Sequence, residues 1–441
     1  MNKSKLALLE GKKSIQADPK DIFTWPIINK RMEDEVLKVL RAGNMSGTDV
    51  TRRFERGFAD WHQMKYGLGC NNGTAALHCA MFGLGVGVGD EVICPSITYW
   101  ATCLPVFSLG GTVVFADIEA DTLCLDPDDI EHRISDKTKA ILVVHYCGRP
   151  ARMDKIMSLA RRHNLKVIED VSHSHGAKYK GRMVGTFGDV SAFSLMSGKS
   201  FAVGEAGIML TNDQAVYERA IAFGHYERHS ELTLPELKAG AGLPWGGYKY
   251  RMHQLSSAVG LVQLKKYPGE TAEIDKAMNY FWDLLEGAPG IRPTRPPKGS
   301  GTTMGGWYNP LGHYCSEKLK GLSLSRFCEA LKAEGVPTNP GCNKALHLHP
   351  LFNTIDVYRH GKPTRIANST GDLRQTPGSL PVAEGIQDKV FGVPWFKRYY
   401  PKIIKEYAGA VKKVVENHRA LLPGDKGNPA DAGNWGLTFR I

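Results

Sequence analysis

Ala140-Ile-Leu-Val-Val-His145, followed by residues 153–163 and then by Lys166-Val-Ile-Glu-Asp170, is the stretch that decides the fold of this chain. The first and last segments are short apolar runs, which favours strands that are buried on both faces. The segment between them has a helical pattern and is about three turns long. A strand, a crossover helix and a second strand predict a parallel pair, because parallel strands need such a connection.

The same alternation extends in both directions from this stretch. Strands are predicted at 66–70, 91–94 and 112–116, and helices at 32–41, 51–64, 74–82, 98–109, 127–134 and 214–223. This succession predicts an α/β fold in which helices cover a mainly parallel sheet. Ligands bind at the carboxyl ends of the strands in such sheets. Gly73-Thr74, residues 96–99 and Asp170 all fall at predicted strand ends, so we expect a site there.

The division of the chain into domains is predicted from breaks in the pattern. Residues 1–30 have the composition of an N-terminal arm, and residues 422–441 that of a tail. A helix over 254–266 is predicted to end at Pro268-Gly269, with a second helix from about residue 272. We therefore predict a large domain over 31–268 and a small domain over 269–421. The polar, glycine-rich segment 225–247 is predicted to be a long functional loop.

Composition restricts the classes of function. The chain is 42% apolar and 23% charged, and no apolar run approaches the roughly 18 residues of a membrane span, so we expect a globular protein outside the membrane. The net charge is +11, but short, scattered basic pairs favour anionic small molecules over nucleic acid. Nine cysteines without a CxxC pair predict neither a metal site nor a disulfide framework. With no secretory signal pattern at the N-terminus, these features predict a cytoplasmic protein.

Lys199 lies in a mostly small and apolar segment, residues 191–207. A lysine that loses hydration there has a lowered pKa and can act as nucleophile or base. Gly198-Lys199-Ser200 resembles the end of a phosphate-binding P-loop, but Phe193 stands where that motif needs glycine. Most lysines are solvated at the surface, so Lys199 alone does not indicate a site. The rest of the chain must decide which role it has.

Together with Lys199, other residues at the predicted strand ends supply the groups that one class of cofactor enzyme needs. Asp170 follows an apolar strand, so its carboxylate needs a cation or a hydrogen-bond donor, in a structural pair or in a site. A pyridoxal phosphate enzyme needs a lysine for the imine, a carboxylate for the pyridine nitrogen, an aromatic ring face and donors for the phosphate. The candidates are Lys199, Asp170, Tyr99 and the group of Gly73, Thr74 and Ser194.

Six motifs, taken in order along the chain, resemble those of the DegT/DnrJ/StrS family of sugar aminotransferases. They are Gly73-Thr-Ala-Ala-Leu77, Pro95-Ser-Ile-Thr-Tyr-Trp-Ala-Thr102, Ile168-Glu-Asp-Val-Ser-His-Ser-His-Gly-Ala177, Phe193-Ser-Leu-Met-Ser-Gly-Lys199, Gly204-Glu-Ala-Gly207 and Gly247-Tyr-Lys-Tyr-Arg-Met252. The resemblance covers about residues 25–400. It implies the fold type I architecture of pyridoxal phosphate enzymes, similar to aspartate aminotransferase. That architecture has a large domain on a mainly parallel seven-stranded sheet and a smaller C-terminal α/β domain.

The resemblance also implies a role for each matching residue. Lys199 would form the Schiff base with pyridoxal phosphate, and Asp170 would bind the pyridine nitrogen. Tyr99 would stack on the ring, and His173 would lie near the ring hydroxyl. The residues that match the phosphate-binding positions of the family are Gly73, Thr74 and Ser194.

Residues after the long loop match positions that the family uses across a subunit interface. The resemblance implies a homodimer with shared active sites, in which Lys249 or Arg251 would reach the phosphate bound by the neighbouring subunit. His347, in Ala345-Leu-His-Leu-His-Pro350, matches a family stretch that makes it a substrate-side candidate.

The reaction implied by the resemblance is transfer of an amino group from glutamine or glutamate to a keto sugar or keto cyclitol, by ping-pong through pyridoxamine phosphate. It would serve the biosynthesis of amino sugars, aminocyclitols or related secondary metabolites. His173 and Gly198 resemble the branch of scyllo-inosose aminotransferases and 3-amino-5-hydroxybenzoate synthase more than the nucleotide-sugar branch. Lys199 favours transamination, because sugar dehydratase relatives carry histidine there. A dehydratase, an epimerase or an aromatising enzyme with this cofactor, and a non-catalytic binding protein, are the alternatives.

Overall fold

The computed structural model of the chain describes residues 5–16, 18–430, 433 and 435. Its strands are β1 (Tyr66–Cys70), β2 (Glu91–Pro95), β3 (Thr112–Ala116), β4 (Thr138–Val144), β5 (Lys166–Asp170), β6 (Lys178–Tyr179), β7 (Arg182–Met183), β8 (Val190–Ser194), β9 (Gly207–Thr211), β10 (Ile291–Pro293), β11 (Leu311–Tyr314) and β12 (Val390–Gly392). Its α-helices are α1 (Lys30–Arg41), α2 (Asp49–His62), α3 (Gly73–Gly83), α4 (Pro105–Ser108), α5 (Pro127–Arg133), α6 (Met153–Arg162), α7 (Gln214–Gly224), α8 (Pro235–Lys238), α9 (Gln254–Leu284), α10 (Leu324–Glu334), α11 (Pro350–Asn353), α12 (Pro381–Gly385) and α13 (Pro401–Glu416).

Seven strands form one sheet in the order β1-β9-β8-β5-β4-β2-β3. β9 is antiparallel to both of its neighbours, and the other adjacent pairs are parallel. Ile93, Ile141 and Ile168, on three adjacent strands, are 0% exposed, as expected for strands that are covered on both faces. The predicted α/β class is confirmed, with the seven-stranded, mainly parallel sheet of fold type I.

The candidate site residues meet at one edge of this sheet. β5 ends at Asp170 and β8 at Ser194, and the segment after β2 carries Tyr99. α3 begins at Gly73, three residues after β1 ends at Cys70. The carboxyl ends of these strands lie on the same edge, so residues that are distant in sequence become neighbours.

A smaller antiparallel sheet in the order β10-β11-β12 belongs to the C-terminal half of the chain. Beside it lies a second apolar core, to which the arm contributes the buried residues Leu6, Ile15 and Ile22. Leu346 and Leu380 pack instead with the core of the large sheet. The domain boundaries at 30, 268 and 421 remain predictions.

The predicted helix end at Pro268-Gly269 is wrong. α9 continues through Pro268 to Leu284, for 31 residues. Proline removes one helical hydrogen bond, yet Tyr267, Ile274 and Phe281, spaced by seven residues, are each 0% exposed. Burial of this continuous apolar stripe outweighs the lost hydrogen bond.

Other segments differ from the predicted pattern in detail. The helix predicted over 98–109 is a 3-10 turn at Trp100–Thr102 and the four-residue α4, because Pro105 starts a new helix. The predicted loop 225–247 contains a 3-10 helix, Tyr226–Glu231, and α8. In the predicted tail, Asp425 accepts a 2.7 Å hydrogen bond from the Ser323 amide, whereas residues 431, 432, 434 and 436–441 lie outside the described residues. Among the helices of the described ranges, none combines the length and the apolar character that crossing a bilayer requires.

Candidate active site

A cavity of about 340 Å³ opens at the carboxyl edge of the large sheet. It brings together seven of the ten predicted site residues, which are Gly73, Thr74, Tyr99, Asp170, His173, Ser194 and Lys199. The rest of its lining consists of Asn72, Leu77, Ala101, Thr102, Ser172, Met196, Glu205 and Tyr308. A volume of this size suits a small-molecule ligand.

Lys199 is buried in this cavity, with 7% of its surface exposed. Burial lowers the pKa of its amine from 10.5 to about 8, although the nearby carboxylate of Asp170 acts in the opposite direction. The Trp25 indole N–H donates a 2.8 Å hydrogen bond to the Lys199 carbonyl, so the N-terminal arm holds the backbone at this point. The amine can therefore exchange a proton near neutral pH.

Asp170 is held by two hydrogen bonds at the end of β5. Its Oδ2 accepts from Thr102 Oγ1 at 2.9 Å, and its Oδ1 accepts from the Ser172 amide at 3.1 Å. Both donors stabilise a carboxylate that is only 4% exposed. These contacts fix the orientation of the carboxylate in the cavity lining.

The N-terminus of α3 also lines the cavity. The Asn72 side chain accepts a 2.8 Å hydrogen bond from the Ala75 amide and so caps the helix. A Cβ atom at Gly73 would lie 2.5 Å from Ser194 Cβ, so only glycine permits this approach of α3 to β8. The remaining N–H groups of the first turn and the helix dipole favour an anion here.

His173 and Tyr99 provide flat rings beside Lys199 and Asp170. His173 Nδ1 accepts a 3.4 Å hydrogen bond from the Cys147 amide. Burial and the charge of Lys199 place the pKa of His173 well below its ordinary value, so the imidazole is neutral. The Tyr99 ring lies 4.8 Å from the Trp100 ring, centroid to centroid.

Three of the predicted site residues, Lys249, Arg251 and His347, are not part of the cavity lining. Lys249 Nζ is 5.9 Å from the centroid of the Tyr226 ring, and Arg251 forms a β-bridge with Cys70. Their predicted role concerns a neighbouring subunit. His347 is 0% exposed and is absent from the cavity lining.

Both ring nitrogens of His347 have partners within the described chain. Nδ1 is 2.7 Å from Ser96 Oγ, and Nε2 is 3.0 Å from Glu384 Oε1. The Ser96 carbonyl also accepts a 2.9 Å hydrogen bond from the Leu346 amide. His347 thus holds the segment that leads from β2 to Tyr99.

Sequence reasoning missed five polar or aromatic residues of the lining, of which Asn72 caps α3 directly before Gly73. Thr102, Ser172 and Glu205 lie inside motifs that point to the site, but only the fold shows that they reach the cavity. Tyr308 follows a glycine-rich turn in the C-terminal half and carries no local signal. Its side chain enters the cavity from outside the large sheet.

Comparison with known proteins places the chain in one family. Residues 26–391 match the DegT/DnrJ/EryC1/StrS aminotransferase family. The chain is 40% identical over 223 residues to GDP-perosamine synthase of Escherichia coli O157:H7, which covers 49% of this chain and only 57% of that synthase. It is 34% identical over 343 residues to L-glutamine:2-deoxy-scyllo-inosose aminotransferase of Streptomyces kanamyceticus, which covers 75% of this chain and 79% of that enzyme.

Comparison with solved structures also finds an aminotransferase. The X-ray structure of the aminotransferase from Psychrobacter cryohalolentis matches with a TM-score of 0.77 and 29% identity, over 90% of this chain and 100% of that one. The motifs, the fold and the cavity lead to one assignment: the chain belongs to the DegT/DnrJ/EryC1/StrS aminotransferase family.

Proposed function

We propose that the protein uses pyridoxal phosphate to transfer an amino group from glutamine or glutamate to a keto sugar or keto cyclitol. One observation carries the proposal. A buried lysine of lowered pKa, Lys199, shares a cavity with the anchored carboxylate of Asp170 and with the N-terminus of α3.

The chemistry of the lining fits this cofactor. Lys199 would hold the cofactor's aldehyde carbon, and Asp170 would bind the pyridine nitrogen. The narrow approach at Gly73, together with Thr74 and Ser194, supplies donors for a phosphate. When bound, pyridoxal phosphate serves as an electron sink for the amino-acid substrate.

The chain's own groups account for proton movement. With a pKa of about 8, the Lys199 amine can both accept and return a proton at neutral pH. The Asp170 carboxylate, fixed by Thr102 and the Ser172 amide, can keep a bound ring nitrogen protonated. Because the pKa of His173 is well below its ordinary value, this imidazole is neutral and adds no second positive charge beside Lys199.

The choice of donor and acceptor is part of the proposal. A glutamine donor and a cyclitol acceptor are named for the Streptomyces kanamyceticus relative, and GDP-perosamine synthase is a relative named for an amino sugar. His173 and Gly198 favour the cyclitol. We also propose that the reaction takes place in the cytoplasm. His347 is proposed to influence the substrate side of the site.

Isotope transfer tests the reaction. The purified protein with pyridoxal phosphate is given ¹⁵N-labelled glutamine or glutamate and a panel of keto cyclitols and keto sugars. We expect ¹⁵N in the product, no turnover by Lys199→Ala, and normal turnover by Lys155→Ala on the exposed face of α6. Product without ¹⁵N would indicate a dehydratase or epimerase instead.

Subunit complementation tests the proposed homodimer. Lys199→Ala and Arg251→Ala would each damage both sites of a dimer of identical chains. A mixed dimer would contain one intact site if Arg251 serves the neighbouring subunit, so mixing should restore activity. The same mixture with Lys249→Ala decides between the two residues, and no recovery in either mixture contradicts a shared site.

A further inference from the structure

The backbone around Tyr308 has an unusual conformation. Trp307 has φ of 52° and Asn309 has φ of 47°, so left-handed residues flank Tyr308 on both sides. A bulky residue such as tryptophan rarely adopts this region unless its surroundings enforce it. Such residues cluster at functional sites, which directs attention to what this segment places in the cavity.

Contacts on both sides hold the segment in place. The Trp307 indole N–H donates to Asp275 Oδ1 at 2.8 Å, and the Trp395 indole N–H donates to the Gly306 carbonyl at 2.9 Å. A Cβ atom at Gly306 would collide with the Cβ of Ser200. The segment is therefore packed directly against the residue that follows Lys199.

These constraints place the Tyr308 ring against Lys199. The amine nitrogen of Lys199 lies 4.3 Å from the ring centroid. The His173 ring is 4.6 Å away, and the Trp395 ring stands edge-on at 5.6 Å, so the tyrosine is confined on several sides. A cation within about 6 Å of an aromatic face is attracted by the ring, more strongly when water is excluded.

We propose that Tyr308 is a positioning residue for Lys199: its ring, set by the left-handed segment, holds the amine in the cavity and stabilises its protonated form. This inference rests on the proposed role of Lys199 as the amine of the reaction. It adds a residue from the C-terminal half of the chain to a site otherwise built on the large sheet.

The ring acts among several other groups that face the amine. Asp170 and Cys147 raise the pKa of Lys199, whereas burial, the largest effect, lowers it to about 8. Burial and, to a lesser extent, the charge on Lys199 lower the pKa values of His173 and His175. Glu205 is a further carboxylate of the lining. Because these groups remain in a Tyr308 variant, a change in the titration of Lys199 reports on the ring.

The test changes the charge on the face of the ring at position 308 while keeping the shape of the ring. Tyr308→Phe keeps the negative face, and pentafluorophenylalanine at position 308 reverses it. The full chain, freed of cofactor, is pulse-acetylated between about pH 6 and about pH 10, and acetylation of Lys199 is followed by mass spectrometry. We expect the Phe variant to keep the wild-type midpoint and the pentafluoro variant to lower it by about one pH unit.

Two controls make the result decisive. Lys276 forms a similar contact with a different ring, because its Nζ lies 4.1 Å from the Tyr399 ring centroid. Since position 308 is not part of that contact, the acetylation midpoint of Lys276 in the same samples should not change. If the pentafluoro variant does not accumulate, 3,5-difluorophenylalanine at position 308, which weakens the negative face at nearly the same volume, should lower the midpoint by a smaller amount. A fluorinated variant with the same midpoint as the Phe variant, or with a higher one, would overturn the proposal. No donor or acceptor is used, so failure of the proposed reaction would be seen separately.

Discussion

Thr102 Oγ1 donates a 2.9 Å hydrogen bond to Asp170 Oδ2, and this bond joins the segment after β2 to the end of β5. Thr98 Oγ1 lies 2.9 Å from Thr102 Oγ1. Since Thr102 gives its proton to Asp170, Thr98 is the donor in the second contact. The carboxylate thus stands at the end of a short relay of hydroxyl groups.

Replacing Thr102 by valine should weaken cofactor binding. The substitution keeps the shape and removes one hydrogen bond to a charged group, which is worth about 1.5–3 kcal/mol. We expect the dissociation constant of pyridoxal phosphate, measured by absorbance titration, to rise about tenfold to about 100-fold. Thr98→Val, which removes only the outer member of the relay, should have a smaller effect. Equal effects of the two substitutions would contradict this order.

Much of the sheet could be predicted from the sequence, because buried parallel strands are continuous apolar runs. The runs that become β4 and β5 show this directly. The path of α9 could not be predicted in the same way. Pro268-Gly269 is a strong local signal for a helix end, and the burial of Tyr267 and Phe281 that overrides it depends on the tertiary fold.

The site shows the same division between local and tertiary information. Lys199 and Asp170 have sequence neighbours that suggest their chemistry, and the cavity brings both together. Tyr308 reaches Lys199 only through the packing of a strained turn, which leaves no periodic pattern in the sequence. His347 was predicted from a motif, and its buried contacts with Ser96 and Glu384 require the folded chain.

Gly73→Ala should separate cofactor binding from folding. The new methyl group would lie 2.5 Å from Ser194 Cβ and 2.8 Å from Ser194 Cα, so α3 must shift away from β8. We expect the affinity for pyridoxal phosphate to fall by more than about tenfold, since the donors of the first turn move with the helix. Gly409→Ala in α13 is the matched control, because no atom lies within 4 Å of its added methyl group. It should stabilise the chain by about 0.5–1 kcal/mol and leave cofactor binding unchanged. Wild-type affinity in Gly73→Ala would show that this approach is not needed.

The lowered pKa of Lys199 predicts a pH-dependent effect on stability. In the folded, cofactor-free chain the amine titrates near pH 8, whereas its ordinary pKa is 10.5. Between these values the unfolded chain binds more protons, so this group makes stability rise with pH, and below pH 8 its unfavourable effect is complete. Lys199→Met should therefore be more stable than wild type by about 3 kcal/mol at pH 7 in urea unfolding.

That difference should decrease as the pH rises from 8 to 10.5 and should nearly vanish above about pH 11, because the wild-type amine is then mostly neutral in both states. Lys155→Met on exposed α6 serves as the control and should change stability by less than about 0.5 kcal/mol at each pH. A constant difference between Lys199→Met and wild type would show that packing, and not the buried charge, is responsible.

A buried ion pair connects the segment 225–247 to the large sheet. Arg228 Nη1 lies 2.9 Å from Glu55 Oε1, and both side chains are 5% exposed. Glu55 Oε1 also accepts a 2.6 Å hydrogen bond from the Gly69 amide in β1. Arg228 has a second carboxylate partner, Glu231, at 2.9 Å. Glu55 therefore joins this segment to β1, beside the direct contact of His225 Nε2 with the Gly69 carbonyl at 3.1 Å.

Glu55→Ala should destabilise the chain by about 3–5 kcal/mol, because it leaves the Arg228 guanidinium buried with only part of its charge compensated. The measurement is the free energy of unfolding in urea. Glu33→Ala is the control, since the contact between Glu33 and Lys30 is exposed and 3.5 Å long, and it should cost less than about 1 kcal/mol. Replacing Glu55 and Arg228 together by methionine should recover part of the loss, because no buried charge then remains unpaired. A double variant that is less stable than Glu55→Ala would mean that the pair itself, and not the avoidance of an unpaired charge, stabilises this connection.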